Sequence, residues 1–151
     1  MNDARQIATA ALLLRLSLGT MFVAHALLKY ALFTLPGTVQ YFESLELPGV
    51  LGYATFAAEL VGGVLLILGV QTRIVALALV PVMLGATWAH AGNGWVFNAP
   101  MGGWEYPAFW TITLSWEYPA FWTITLIVQA LLGDGAYALR SASPAPALHR
   151  A

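Results

Sequence analysis

Four apolar stretches, each long enough to cross a bilayer, constrain this chain most: residues 7–30, 50–70, 74–90 and 116–132. The hydrocarbon core takes about 20 helical residues. In lipid only helices or closed barrels satisfy their own backbone groups. The expected fold class is therefore all-α, an integral membrane four-helix bundle forming one transmembrane domain over residues 1–140. Inside the stretches lie Arg15, His25, Lys29 and Glu59. A charge at bilayer depth costs about 2.5–3.5 kcal/mol on insertion scales, so such groups mark an ion pair, a proton path or a ligand site.

Composition agrees. Of 151 residues, 60% are hydrophobic and 9% charged, against roughly 45–50% and about 25% in soluble domains. A net charge of −1 with six Lys and Arg in all gives no basic surface for nucleic acid. The absence of cysteine removes disulfides, thiolate catalysis and cysteine-ligated clusters, so redox chemistry would need a borrowed cofactor or a partner subunit. The first stretch contains Ala24-His25-Ala26, which resembles a signal-cleavage site, but Arg15 interrupts the run and the run is too long. It reads as a retained helix.

Leu35-Pro36-Gly37 ends the first span, and Glu43 and Glu46 sit in the segment before Pro48-Gly49. Thr72 is the expected N-cap of the third span, and Pro81 is expected to kink it. Gly133-Asp134-Gly135 stops the fourth span, and residues 141–151 read as a disordered tail. Arg5, Arg73, Arg140 and Arg150 all fall on one side of these spans, which predicts both termini in the cytoplasm. Tyr41, Trp95, Trp104 and Tyr106 suit an outer aromatic belt.

Residues 104–114 read WEYPAFWTITL, and residues 116–126 repeat the same letters after Ser115. A repeat of about 12 residues is far shorter than a solenoid unit and indicates a tandem duplication. It adds about 18 Å of helix and a rotation of about 120°. The second copy is expected to enter the membrane and residues 104–115 to form an interfacial extra segment. One long helix from Pro107, kinked at Pro119, is the alternative.

At about 100° per residue, Arg15, Phe22, His25 and Lys29 share one face of the first span. Counting about 1.5 Å per residue from the inner ends, Arg15 lies about 12 Å deep and Glu59 about 16 Å deep, which predicts an ion pair. That pair is open to a purely structural reading or to one in ligand or proton handling. Ala54, Ala58 and Gly62 form a small-residue ladder beside Glu59. Gly62, Gly63 and Gly69 read as packing residues. His25, Lys29, His90 and whichever of Glu105 and Glu117 opens the last helix cluster in the outer third. His25 and His90 are compatible with haem ligation, which the pattern disfavours, or with hydrogen bonds at the membrane edge.

The segments LLLRLSLGTMFVAHALLKY, FAAELVGGVLLILGVQTR and HAGNGWVFN, with GGWEYP before the last span, resemble the DoxX family of bacterial membrane proteins over residues 12–139. The corresponding positions are Arg15, His25, Lys29, Glu59, Gly62, Gly63, Gly69, Arg73, His90, Asn93, Gly94 and Trp-Glu-Tyr-Pro at 104–107 or 116–119. The resemblance implies a four-helix protein of the bacterial inner membrane, in a redox assembly that is quinone-linked or protects against oxidative stress. Its implied partners are the lipid bilayer and other protein subunits. The expected site is an outward-facing polar pocket of Arg15, His25, Lys29, Glu59, His90, Glu105 and Glu117, with quinone as the cofactor candidate. A non-catalytic scaffold and a small-molecule or proton-coupled carrier are the alternatives, and the carrier is weakened by the lack of inverted repeats. Whether the chain is itself an enzyme or only a subunit of an oxidoreductase stays open.

Overall fold

Helix formers fill the first apolar stretch without interruption, and it winds into α1 (Asp3–Ala31). The computed structural model describes residues 3–90 and 117–139. Among them the chain is all-α, continuing with α2 (Leu35–Ser44), α3 (Val50–Leu68), α4 (Thr72–His90) and α5 (Glu117–Leu132). Thr34, at φ 62°, turns the chain into α2, and its hydroxyl accepts the Gly37 N–H at 3.2 Å. A β-branched residue at positive φ is strained, and this cap offsets part of that cost.

At the other end of α3, Gly69 adopts φ 71°, and its N–H and that of Val70 return to Leu66 and Leu65. This is the Schellman geometry that glycine permits. Residues 69–71 thus suffice to reverse the chain into α4, which runs through Pro81 as one helix. The α4 start corrects the expected cap. Its first N–H, from Thr72, is taken by the Asp134 carboxylate at 3.1 Å, while the Thr72 hydroxyl is buried without a partner. A carboxylate beyond the end of α5 therefore caps α4 from across the fold and complements its dipole.

α1 packs on α3, α3 on α4, α4 on α5 and α5 back on α1, with α2 lying on α3. Their shared core holds Leu18, Phe22, Leu66, Ala76, Leu79, Met83, Trp122 and Leu126. The close approach of α1 to α3 is at Gly19 and Gly63, each set against the other's carbonyl. This corrects the small-residue ladder: Ala54 is exposed, Gly62 meets Leu79 of α4, and the α1 contact falls one residue further along.

Leu13, Leu27, Val61, Ile74, Leu77, Leu84, Phe121, Ile124 and Leu131 point outward and are exposed. Apolar surface that continuous belongs to a lipid-facing exterior. Among the described residues, three helices have the length and composition of a membrane crossing: Ala4–Ala31, Val50–Leu68 and Thr72–Ala89. The sequence predicts a fourth crossing at 116–132, but the apolar part of α5, Pro119–Leu132, is shorter than a full span.

α5 contains residues 117–126 of the second copy of the duplicated motif. The first copy, Asn93, Gly94, Trp95, Trp104, Tyr106 and the tail at 141–151 lie outside the described residues. After α5, residues 133–139 fold back along the bundle end. Ala136 N–H bonds Ala8 O and Leu139 N–H bonds Leu68 O, both at 3.1 Å. This strap brings the chain after α5 to the end of the bundle where α1 begins.

Candidate functional site

Two polar clusters are set into the apolar bundle, one toward each end. The first is built on α1 and α3. Lys29 Nζ donates to both carboxylate oxygens of Glu59, at 2.9 and 2.7 Å. The side chain of Glu59 is 4% exposed and that of Lys29 19%. One turn before Lys29 on the same face, His25 donates from Nδ1 to the Met21 carbonyl at 3.0 Å. A carbonyl only accepts, so Nδ1 carries a proton in this contact. The imidazole stands edge-on to Trp122 of α5, centroids 5.0 Å apart, and Trp122 also tilts against Phe22 at 4.9 Å. The cluster thus joins a charged pair, an imidazole and two aromatic rings, held by three helices.

The second cluster lies where α1 begins. Arg15 is 1% exposed and donates from Nη2 to Ala136 O of the strap at 3.2 Å. Its Nη1 packs against Gly69, where any side chain would collide with it. Asp134 is the carboxylate whose charge acts on Arg15. Gln129, fully buried, donates to Gly133 O at 2.7 Å and fixes the start of the strap.

The expected pairing of Arg15 with Glu59 is therefore overturned. Gly19 meets Gly63, and Arg15 meets Gly69, so Arg15 is level with the end of α3. Glu59 is ten residues further along, about 15 Å at the helical rise, and Lys29 reaches it instead. Of the expected pocket residues, the structure brings together His25, Lys29 and Glu59 and separates Arg15 from them. His90 ends α4 and Glu117 opens α5. Their side chains, and the whole of Glu105, lie outside the described residues, and with them the haem pairing of His25 and His90.

Residues 10–92 match the DoxX family model. The chain belongs to the DoxX family. A DoxX-like relative, "Putative oxidoreductase CatD" of Bacillus subtilis (strain 168), is 41% identical over 86 residues, which are 57% of this chain and 61% of that protein. The chain thus spans less than two thirds of that relative's length. No solved structure matches. The DoxX match contains Arg15, His25, Lys29 and Glu59, and stops short of α5 and the strap.

Sequence reasoning missed Trp122, Gln129 and Asp134. Gln129 was detectable as a lone polar residue in an apolar run, and Asp134 as an acid between two glycines at the end that carries Arg5 and Arg73. Nothing in the letters distinguished Trp122 from its duplicate Trp110.

Proposed function

We propose that this DoxX protein is an integral subunit of a redox assembly in the bacterial inner membrane, crossing it four times with both termini in the cytoplasm. The observation that carries this reading is the Lys29–Glu59 pair, one turn from an oriented histidine inside an apolar bundle. Such a group is expensive in lipid and is retained where protons or a polar head group are handled. The "oxidoreductase" in the relative's name gives independent support. The location of Arg5 and Arg73 at the strap end supports the orientation.

A quinone is the cofactor that this donor set fits. Its carbonyls need donors, which Lys29 offers one turn from His25, and the buried rings of Phe22 and Trp122 form the apolar wall next to that imidazole. Bound there, a quinone would supply two-electron, two-proton chemistry. The chain's part is to hold it and manage protons. The Lys29 ammonium has a third hydrogen for a carbonyl oxygen, Glu59 keeps that ammonium in place, and His25 accepts or returns a proton at Nε2. Other subunits would provide the electron donor.

The test is to purify the protein gently in detergent, extract it and assay bound quinone, beside Glu59→Gln and His25→Ala. Quinone in the parent and its loss in folded variants is the expected result. A second reading, a non-catalytic scaffold, is favoured by the engagement of both Glu59 oxygens by Lys29, as in a tie that only fixes helix register. Wild-type assembly and redox phenotype in both variants would establish that reading instead.

A further inference from the structure

At the strap end, three buried residues keep polar atoms without a hydrogen-bond partner: Arg15 Nε and Nη1, Thr72 Oγ1 and Gln129 Oε1. The residues are 1%, 0% and 0% exposed. A buried guanidinium with one backbone acceptor is far from satisfied, since it carries five donors and its desolvation needs a charged partner. Two further features add positive potential. Thr72 opens the 19-residue α4, whose N-terminal N–H groups and dipole attract anions. Arg73, exposed at the surface, lays its guanidinium against Gly133.

Within this ring one anion is built in. Asp134 Oδ1 takes the Thr72 N–H, and its charge acts on Arg15. The strap that carries Asp134 is fixed at its start by Gln129 and held further along by the Ala136–Ala8 and Leu139–Leu68 backbone hydrogen bonds and by Arg15 itself. Among the described residues, Arg15, Arg73 beside Gly133 and the N-terminus of α4 gather about a strap that carries one carboxylate, so a further negative charge is complementary to the cluster.

We propose that Arg15, Arg73 and the N-terminus of α4 form a binding site for a phosphate-type oxyanion, with the strap carboxylate Asp134 as its internal competitor. The site is about 21 Å along α1 from the Lys29–Glu59 pair by helical rise and is independent of the function proposed for that pair. Two sources carry the right chemistry: free phosphate, and the headgroup of an anionic phospholipid at the membrane surface. Arg73 meets the anion first, and Arg15 receives it as Asp134 and the Ala136 carbonyl give way.

The experiment measures the unfolding temperature of the purified full chain in neutral detergent. Inorganic phosphate, sodium chloride at equal ionic strength and phosphatidylglycerol micelles are titrated separately, since a ligand of the native state raises that temperature. Saturable stabilisation by phosphate supports the site with a free anion as its source. Stabilisation by phosphatidylglycerol alone supports it with lipid as the source. Asp134→Asn keeps the cap but removes the competing charge and should tighten the apparent affinity about threefold to tenfold, while Arg73→Gln should weaken it about threefold. Arg15→Gln should abolish it, and should that variant not fold, the Asp134→Asn and Arg73→Gln shifts decide. Equal stabilisation by sodium chloride, or affinities unchanged in Asp134→Asn and Arg73→Gln, would overturn the proposal.

Discussion

Lys29 and Glu59, separated by 30 residues in sequence, meet through both carboxylate oxygens and tie the far end of α1 to the middle of α3. The two partners are unequally buried, and that sets how each substitution should behave. Lys29→Met leaves a carboxylate that is 4% exposed with no counter-charge and should cost about 3–5 kcal/mol. Glu59→Gln leaves a lysine whose long stem can carry its charge outward, so its cost should be about 1–2 kcal/mol. Chemical unfolding in detergent measures both. An equal loss from the two substitutions would contradict the asymmetry.

The helix contact at Gly19 and Gly63 gives a second expectation. A methyl added at Gly63 would sit 2.9 Å from the Gly19 carbonyl oxygen, and one added at Gly19 would sit 2.7 Å from that of Gly63. Backbone cannot swing aside, so Gly63→Ala should separate α1 from α3 and cost about 1–3 kcal/mol. Gly62→Ala meets the Leu79 side chain, its two methyls at 2.9 and 3.0 Å and its Cγ at 3.2 Å, and a side chain gives way more easily than backbone, so it should cost less. A shift in unfolding midpoint that is larger for Gly62→Ala than for Gly63→Ala would refute this ordering.

These contacts also show what the letters could and could not convey. The helical period places Arg15, Phe22, His25 and Lys29 on one face, and that face does turn inward. Long apolar runs made the helices evident for the same physical reason: lipid leaves the backbone no other solution. Register between helices is another matter. Setting the ends of two spans level made Arg15 the partner of Glu59, yet the short turn at Gly69 and the Gly19–Gly63 contact slide α1 along α3 until Lys29 takes that place. The strap was hidden for a related reason. Gly133-Asp134-Gly135 signals a stop, and only the tertiary fold shows that its positive φ values at Gly133 and Gly135 steer Asp134 to α4.

Gly69 should be the least replaceable residue of the α3–α4 turn. It has φ 71°, and an added methyl would overlap the Arg15 guanidinium and press on Ala138. Gly69→Ala combines the left-handed strain with displacement of a buried cation, so a loss of about 3 kcal/mol or more is expected. Gly69→Asn, which tolerates that backbone better, should be no better than alanine, because the clash with Arg15 remains. Rescue by asparagine would show that φ alone matters there.

The opposite outcome is expected at Gly85 in the middle of α4. A methyl at this position meets nothing within 4 Å, and the residue is exposed on the outward face beside Leu84 and Trp88. Glycine in a helix interior is less favourable than alanine by about 0.5–1 kcal/mol, because the unfolded chain keeps more backbone freedom. Gly85→Ala should therefore stabilise the fold by about that free energy, read as a higher unfolding midpoint. A destabilised Gly85→Ala variant would mean that this face of α4 is covered by something a methyl disturbs, and crosslinking from Trp88 would then locate the neighbouring subunit.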